Sequence, residues 1–140
     1  MRISARNVLP GVVANVTKGA VNAEVKLTLR GGETIVAIIT NLSVDALELQ
    51  AGKAVFGVIK ATDVMVGKNL EGAKLSARNI LAGTAADLKE GAVNSEVIVR
   101  LPGGTMLVAS ITKASAEALD LKQGDDVSVI VKASHVLVGV

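Results

Sequence analysis

The chain has no cysteine, no tryptophan and no tyrosine, and its one aromatic side chain is Phe56. Without cysteine there is neither a disulfide nor a thiolate metal site. With a single aromatic there is no platform on which successive bases of a single-stranded nucleic acid could stack. Only one histidine is present, His135. No nucleophile, base and orienting group come together in the sequence, and no His and carboxylate cluster has the spacing of a transition-metal site. The formal charge of +2 gives no concentrated basic patch for duplex DNA. No apolar run approaches bilayer length, and Met1-Arg2-Ile3-Ser4-Ala5-Arg6 lacks the apolar stretch of a signal peptide. These absences argue against an enzyme, a nucleic-acid binder and a membrane protein, and a cytoplasmic location is compatible with them.

What the chain has instead is a repeat. Residues 4–67 return as 76–139 with no insertion or deletion, and roughly half of the aligned positions are identical. Ser4-Ala5-Arg6-Asn7 returns as Ser76-Ala77-Arg78-Asn79, and Gly19-Ala20-Val21-Asn22 as Gly91-Ala92-Val93-Asn94. Two units follow, 1–68 and 73–140, joined by a short polar linker around Gly72. Units this small bury modest cores and gain from association. Half of all residues are hydrophobic, so Val, Ile, Leu and Ala must form the core, and subunit interfaces are expected.

Each unit reads as mostly β. Across Val21–Arg30, Ala23, Val25, Leu27 and Leu29 alternate with Glu24, Lys26, Thr28 and Arg30, the period of a half-buried strand. Gly31-Gly32 suits a hairpin turn, and Glu33–Thr40 is the returning strand. Thr40 or Ser43 can cap a short helix over Val44–Leu47. Lys53–Lys60 is again extended, and Ala61–Val66 is read as a last short strand. The leading segment, Ile3–Val16, holds a strand bent near Pro10-Gly11; Ala82 replaces the proline in the second copy, so the glycine is the shared requirement. The second unit repeats the order, with strands over Asn94–Leu101, Thr105–Thr112 and Asp126–Lys132 and a helix near Ser115–Leu119. The fold class is all-β: two tandem OB-type five-stranded barrels, each with one short helix.

Between the copies Lys18 becomes Glu90, Lys26 becomes Ile98 and Lys53 becomes Asp125, whereas a set of oxyanion-friendly donors persists. Ser4 and Arg6 share a face of an extended segment, and Arg presents a planar fork suited to oxyanions. Thr40 and Ser43 stand where free backbone N–H groups open a helix. Lys60 ends a strand beside Ala61. All recur, as Ser76, Arg78, Thr112, Ser115, Lys132 and Ala133. Each has a plainer reading: Thr40 and Ser43 as helix caps, Arg6 and Lys60 as solvated charges, Glu24 and Glu96 as solvated or salt-bridged strand residues. His135 aligns with Asp63, so the shared design does not need an imidazole.

Ser-Ala-Arg-Asn, Gly-Ala-Val-Asn-(Ala/Ser)-Glu-Val, Gly-Gly, Ile-Thr-x-x-Ser and Lys-Ala-(Thr/Ser), in this order and in both copies, resemble the molybdopterin-binding-protein-like domain, Mop. Two in tandem resemble molbindins of the dimop type, and the chain offers no room for the DNA-binding or ATPase domains that accompany Mop units elsewhere. The resemblance implies a cytoplasmic molybdate-binding protein, with tungstate as a close competitor, no cofactor and no catalysis. It implies a homotrimer of six barrels, with sites between repeats and no nucleic-acid or membrane partner. In one site class the resemblance implies Ser4, Ala5 and Arg6 from one unit, and Thr40, Ser43, Lys60 and Ala61 from a neighbour. The second copy supplies Ser76, Ala77, Arg78, Thr112, Ser115, Lys132 and Ala133. A second class is expected near the threefold axes, at Gly19, Ala20, Val21 and Asn22 and at Gly91, Ala92, Val93 and Asn94, where a tight turn is the plainer reading. The rival function is a single-stranded nucleic-acid-binding OB module.

Overall fold

A computed structural model describes residues 2–140; the first position of the unit expected at 1–68 lies outside the described residues. The alternating segments form the strands that their periodicity predicts. In the first repeat these are β1 (Asn7–Lys18), β2 (Asn22–Leu29), β3 (Thr34–Thr40), β4 (Ala54–Ile59) and β5 (Met65–Gly67), with helix α1 (Asn41–Ala46) between the third and fourth. The second repeat gives β6 (Asn79–Glu90), β7 (Asn94–Arg100), β8 (Met106–Thr112), α2 (Lys113–Ala118), β9 (Asp126–Val131) and β10 (Leu137–Gly139). The stretch read as a single last strand over Ala61–Val66 is divided. A turn of 3-10 helix occupies Ala61–Asp63 and the strand proper starts at Met65.

The long first strand serves both sides of each barrel. Gly11 of β1 is paired with Leu29 of β2 and with Val55 of β4. The register of this strand shifts between Val13 and Asn15, and again between Ala85 and Asp87, irregularities of the kind that bend and twist a strand. Gly11 is required for a different reason. A Cβ there would lie 2.5 Å from the carbonyl oxygen of Thr28, and one on Gly83 2.7 Å from that of Arg100.

The last strand of each repeat does not return to its own sheet. The strand orders are β10-β4-β1-β2-β3 and β5-β9-β6-β7-β8. Leu137 is paired with Val58, and Met65 with Ile130. Val64 and Val136, which lead into the exchanged strands, are 1% and 2% exposed. One continuous apolar core therefore runs through both barrels, from Val13, Val25 and Leu27 to Val97, Val99 and Val129.

Two further ties cross between the repeats. The buried amide of Asn7 acts as a peptide group for the outer strand of the second barrel: its Nδ2 donates to Val108 O at 2.9 Å and its Oδ1 accepts from Val108 N at 2.8 Å. Asn79 does the same for Val36, at 2.8 and 2.7 Å. Outside these amides, Arg6 Nη1 bonds Glu96 Oε1 at 2.6 Å, and Arg78 grips both oxygens of Glu24 at 2.8 and 3.0 Å. The hydrogen bonds from the arginines, aided by their charge, hold both carboxyls below the usual glutamate range against the opposing effect of desolvation.

Two outcomes are expected from these ties. Removing the amide strands a backbone N–H and a C=O, so Asn79→Ala should cost about 2–4 kcal/mol in denaturant unfolding. Asn7→Ala should cost less, because Val108 is only half-buried whereas Val36 is buried. The lowered glutamate pKa values mean that their stabilisation is complete above the ordinary carboxylate value of 4.5 and is lost as pH falls through the folded-state values. The thermal midpoint of the wild type should accordingly fall more steeply in acid than that of Glu24→Gln/Glu96→Gln; parallel curves would show the pairs to be inert.

Candidate functional site

The polar residues kept in both copies converge at one end of each barrel. Thr40 precedes α1 in extended conformation, and its Oγ1 accepts from the Ser43 backbone N at 3.1 Å. Thr112 caps α2 in the same way, accepting from Ser115 N at 3.0 Å. Thr is thus the cap, and Ser, two positions into the helix, bonds the cap hydroxyl at 2.9 Å in one copy and 2.8 Å in the other. All four side chains remain accessible.

The exchange of last strands decides what faces each cap. The 3-10 turn Ala61–Asp63 packs on β8, and its counterpart Ala133–His135 packs on β3. Thr62 and Val64 line a cleft of about 490 Å³ together with Thr112 and Ser115. The Ser-Ala-Arg segment comes to the same place. Asn7 bonds Val108 and Arg6 bonds Glu96, which is paired with Ser110, so the segment climbs β8 towards Thr112. Ser76, Ala77 and Arg78 climb β3 towards Thr40 by the equivalent contacts at Val36 and Glu24.

This corrects one grouping expected from the sequence. Lys60 and Ala61 were expected to join Thr40 and Ser43 of their own repeat. Asn7 is paired with Ile59, which sets the Lys60 strand end beside Ser4, Ala5 and Arg6. The whole set then faces Thr112 and Ser115 of the other repeat. Lys132 and Ala133 join Ser76, Ala77 and Arg78 against Thr40 and Ser43. The strand exchange is the physical reason.

The cations kept in both copies divide into committed and uncommitted ones. Arg6 and Arg78 are engaged by glutamates. Among the described residues, Lys60 and Lys132 are exposed and enter no ion pair. No group of three or more potential metal-ligating side chains occurs among the described residues. The arrangement suits a small anion held by hydroxyls, backbone and ammonium groups.

Gly19–Asn22 forms the tight turn between β1 and β2, closed by Gly19 N donating to Asn22 O at 2.7 Å; Gly91 N and Asn94 O close its counterpart at 2.9 Å. This turn adjoins the helix start, since Asn22 is paired with Thr40 and Asn41 N donates to Val21 O at 2.9 Å. Val21 and Val93 at the turn tips are 71% and 75% exposed, and Leu42 of α1 is 80% exposed.

No role for Asn7 and Asn79, or for the linker residue Lys68, was legible from sequence. The signal for the asparagines was their repetition inside Ser-Ala-Arg-Asn. Glu24 and Glu96 could have been matched to Arg6 and Arg78 because both members of the opposite-charge pair persist. The change from Lys53 to Asp125 is compensated, not free drift. Lys53 Nζ bonds the carbonyls of Leu47 and Glu48 after α1. After α2 the ammonium of Lys68 takes that place, bonding Leu119 O and Asp120 O and pairing with Asp125.

A family model described as the TOBE domain matches residues 3–66 and again 75–138. The molybdenum-pterin-binding protein MopA of Rhodobacter capsulatus is 42% identical over 98% of this chain and 52% of its own length. The molybdenum transport protein ModE of Azotobacter vinelandii is 39% identical over 100% of the chain and 52% of its own length. The chain therefore spans about half the length of these curated relatives. The crystal structure of the cytoplasmic molybdate-binding protein ModG, with molybdate bound, superimposes with a TM-score of 0.96 at 46% identity, covering 100% of this chain and 99% of that one. No helix among the described residues is long and apolar enough to cross a membrane. Both halves match one domain model and the whole chain shares a tandem OB-type fold, so the chain belongs to the TOBE-domain family as a tandem member of the Mop type.

Proposed function

We propose that this protein binds molybdate reversibly, with tungstate as a competitor, and holds molybdenum in the cytoplasm for storage or homeostasis. The observation that carries this reading is the cleft in which Thr112 and Ser115 of one repeat face Thr62 and Val64, in and just after the turn that follows Lys60 in the other. The full-length likeness to molybdate-binding ModG supports it. The mechanism is hydrogen bonding to a tetrahedral dianion without covalent chemistry. Lys60 with Thr112 and Ser115, and Lys132 with Thr40 and Ser43, supply charge and hydroxyl donors. Ser4, Ala5 and Arg6, and Ser76, Ala77 and Arg78, form the remaining walls, with the guanidinium groups positioned by Glu96 and Glu24. The turns Gly19–Asn22 and Gly91–Asn94 supply a second class of oxyanion site. Three chains pack their six barrels around a threefold axis, and exposed Val21, Val93 and Leu42 suit its subunit contacts. The nucleic-acid reading gains nothing from Phe56, which lies half-buried in β4, paired with Pro10 and Gly139.

Calorimetric titration with molybdate, tungstate, sulfate and phosphate tests the reading. Molybdate and tungstate should bind with micromolar or tighter affinity, about −8 kcal/mol or better. No heat with either oxyanion would refute it. Each charge-assisted hydrogen bond contributes about 1.5–3 kcal/mol, so Lys60→Ala/Lys132→Ala should weaken binding about 10- to 100-fold. An unchanged isotherm would remove the lysines from the site.

A further inference from the structure

Residues that are equivalent in the two repeats meet one another along the axis that relates them. Gly103 approaches the carbonyl oxygen of its counterpart Gly31 so closely that a Cβ on Gly103 would overlap it. Two positions on, Thr105 Oγ1 donates to Oε2 of its counterpart Glu33 at 2.7 Å. At the 3-10 turns, His135 Nδ1 lies 3.7 Å from Oδ1 of its counterpart Asp63. If the repeats were identical, every residue on this axis would face its own copy. The two polar positions are instead unlike. The first repeat presents a carboxylate at each, and the second a hydroxyl or an imidazole.

This difference separates the pairings open to the surface. Two first repeats from two chains would set Glu33 against Glu33 and Asp63 against Asp63. Like charges placed opposite one another are destabilising. The Glu33 position is poorly able to absorb a second carboxylate, because its Oε1 is already buried with no hydrogen-bond partner. Arg30 lines the neighbouring cleft but is exposed and enters no ion pair among the described residues. Lys60 and Lys132 hold equivalent positions before Asp63 and His135, so they do not discriminate between the pairings. Two second repeats would face Thr against Thr and His against His without a carboxylate clash. Exchange of like for like between two chains must nevertheless use one pairing of each kind, so a penalty on the first repeat counts against the whole exchange.

We propose that Glu33–Thr105 and Asp63–His135 are the specificity contacts of this interface. They make the exchanged-strand face of the first repeat fit the second repeat and reject a first repeat from another copy of the chain. The assignment is independent of the ligand reading.

A charge-exchange cycle in the full chain tests it. Thr105→Glu creates the like-charge pair and should lower the thermal midpoint at pH 8 by roughly 4 °C or more. Glu33→Thr/Thr105→Glu restores an unlike pair with the roles reversed and should regain most of that loss. An exchanged variant as unstable as Thr105→Glu alone overturns the proposal. Glu33→Thr/Asp63→His, whose repeats present the same residues on the axis, is refolded from denaturant at high protein concentration beside the wild type. Light scattering should then find species at multiples of the wild-type mass, and a mass profile matching the wild type would also overturn the proposal.

Discussion

The strand each repeat gives to the other is the constraint from which the rest of the molecule follows. A barrel of about 65 residues built from Val, Leu, Ile and Ala has little core to spare. Here neither sheet is complete without three residues of the other repeat, Leu137–Gly139 in one direction and Met65–Gly67 in the other. The valines that precede them, Val64 and Val136, are almost wholly buried. Separating the repeats would therefore open both sheet edges and expose apolar surface in each core. The two repeats therefore share a single apolar core.

The exchange also creates the junctions at which polar chemistry collects. A strand that crosses to the neighbouring barrel must leave its own at a defined point, and that point is the Lys60-Ala61 or Lys132-Ala133 turn. The turn lands on the outer strand of the other barrel, whose end carries the Thr cap of a short helix. Asn7 and Asn79 fix the approach by bonding that strand as if they were backbone. The arginines beside them are fastened by glutamates on the adjacent strand. Backbone topology brings hydroxyl and ammonium groups from different repeats together, and local motifs supply their identity.

How far the sequence could be read depends on the range of each interaction. Alternation in Val21–Arg30 is a local property, and it located β2 to within a residue or two. Thr40 and Gly32 act through their immediate neighbours, as cap and as a positive-φ turn residue, and both were legible. The destination of Met65–Gly67 was not legible, because period-two alternation says which face is buried but not which sheet receives the strand. That Lys60 lies beside Ser4 and Arg6, and not with Thr40 and Ser43 of its own repeat, was not legible for the same reason. The charge reversal from Lys53 to Asp125 looked like drift because its compensating partner, Lys68, lies outside the repeated segment. In space Lys68 supplies the ammonium that the second repeat no longer encodes, and the same bond, helped by the Lys122 backbone N–H, holds the Asp125 carboxyl below its usual range.

A ligand held at these junctions would touch both repeats at once. An oxyanion bonded to Thr112, Ser115 and Lys60 links the second barrel's helix to the turn from which the first repeat sends out its last strand. Its binding free energy is then added to the contacts that hold the repeats together, since a state with the repeats apart has no complete site. By the same argument, residues that hold the junction in register, such as Asn7 and Glu96, would influence the affinity of such a site. The apparent redundancy of two half-sites in one chain thus resolves into a reciprocal arrangement. In the sites proposed, each repeat would contribute the cap to one and the turn to the other, so loss of either repeat would remove both.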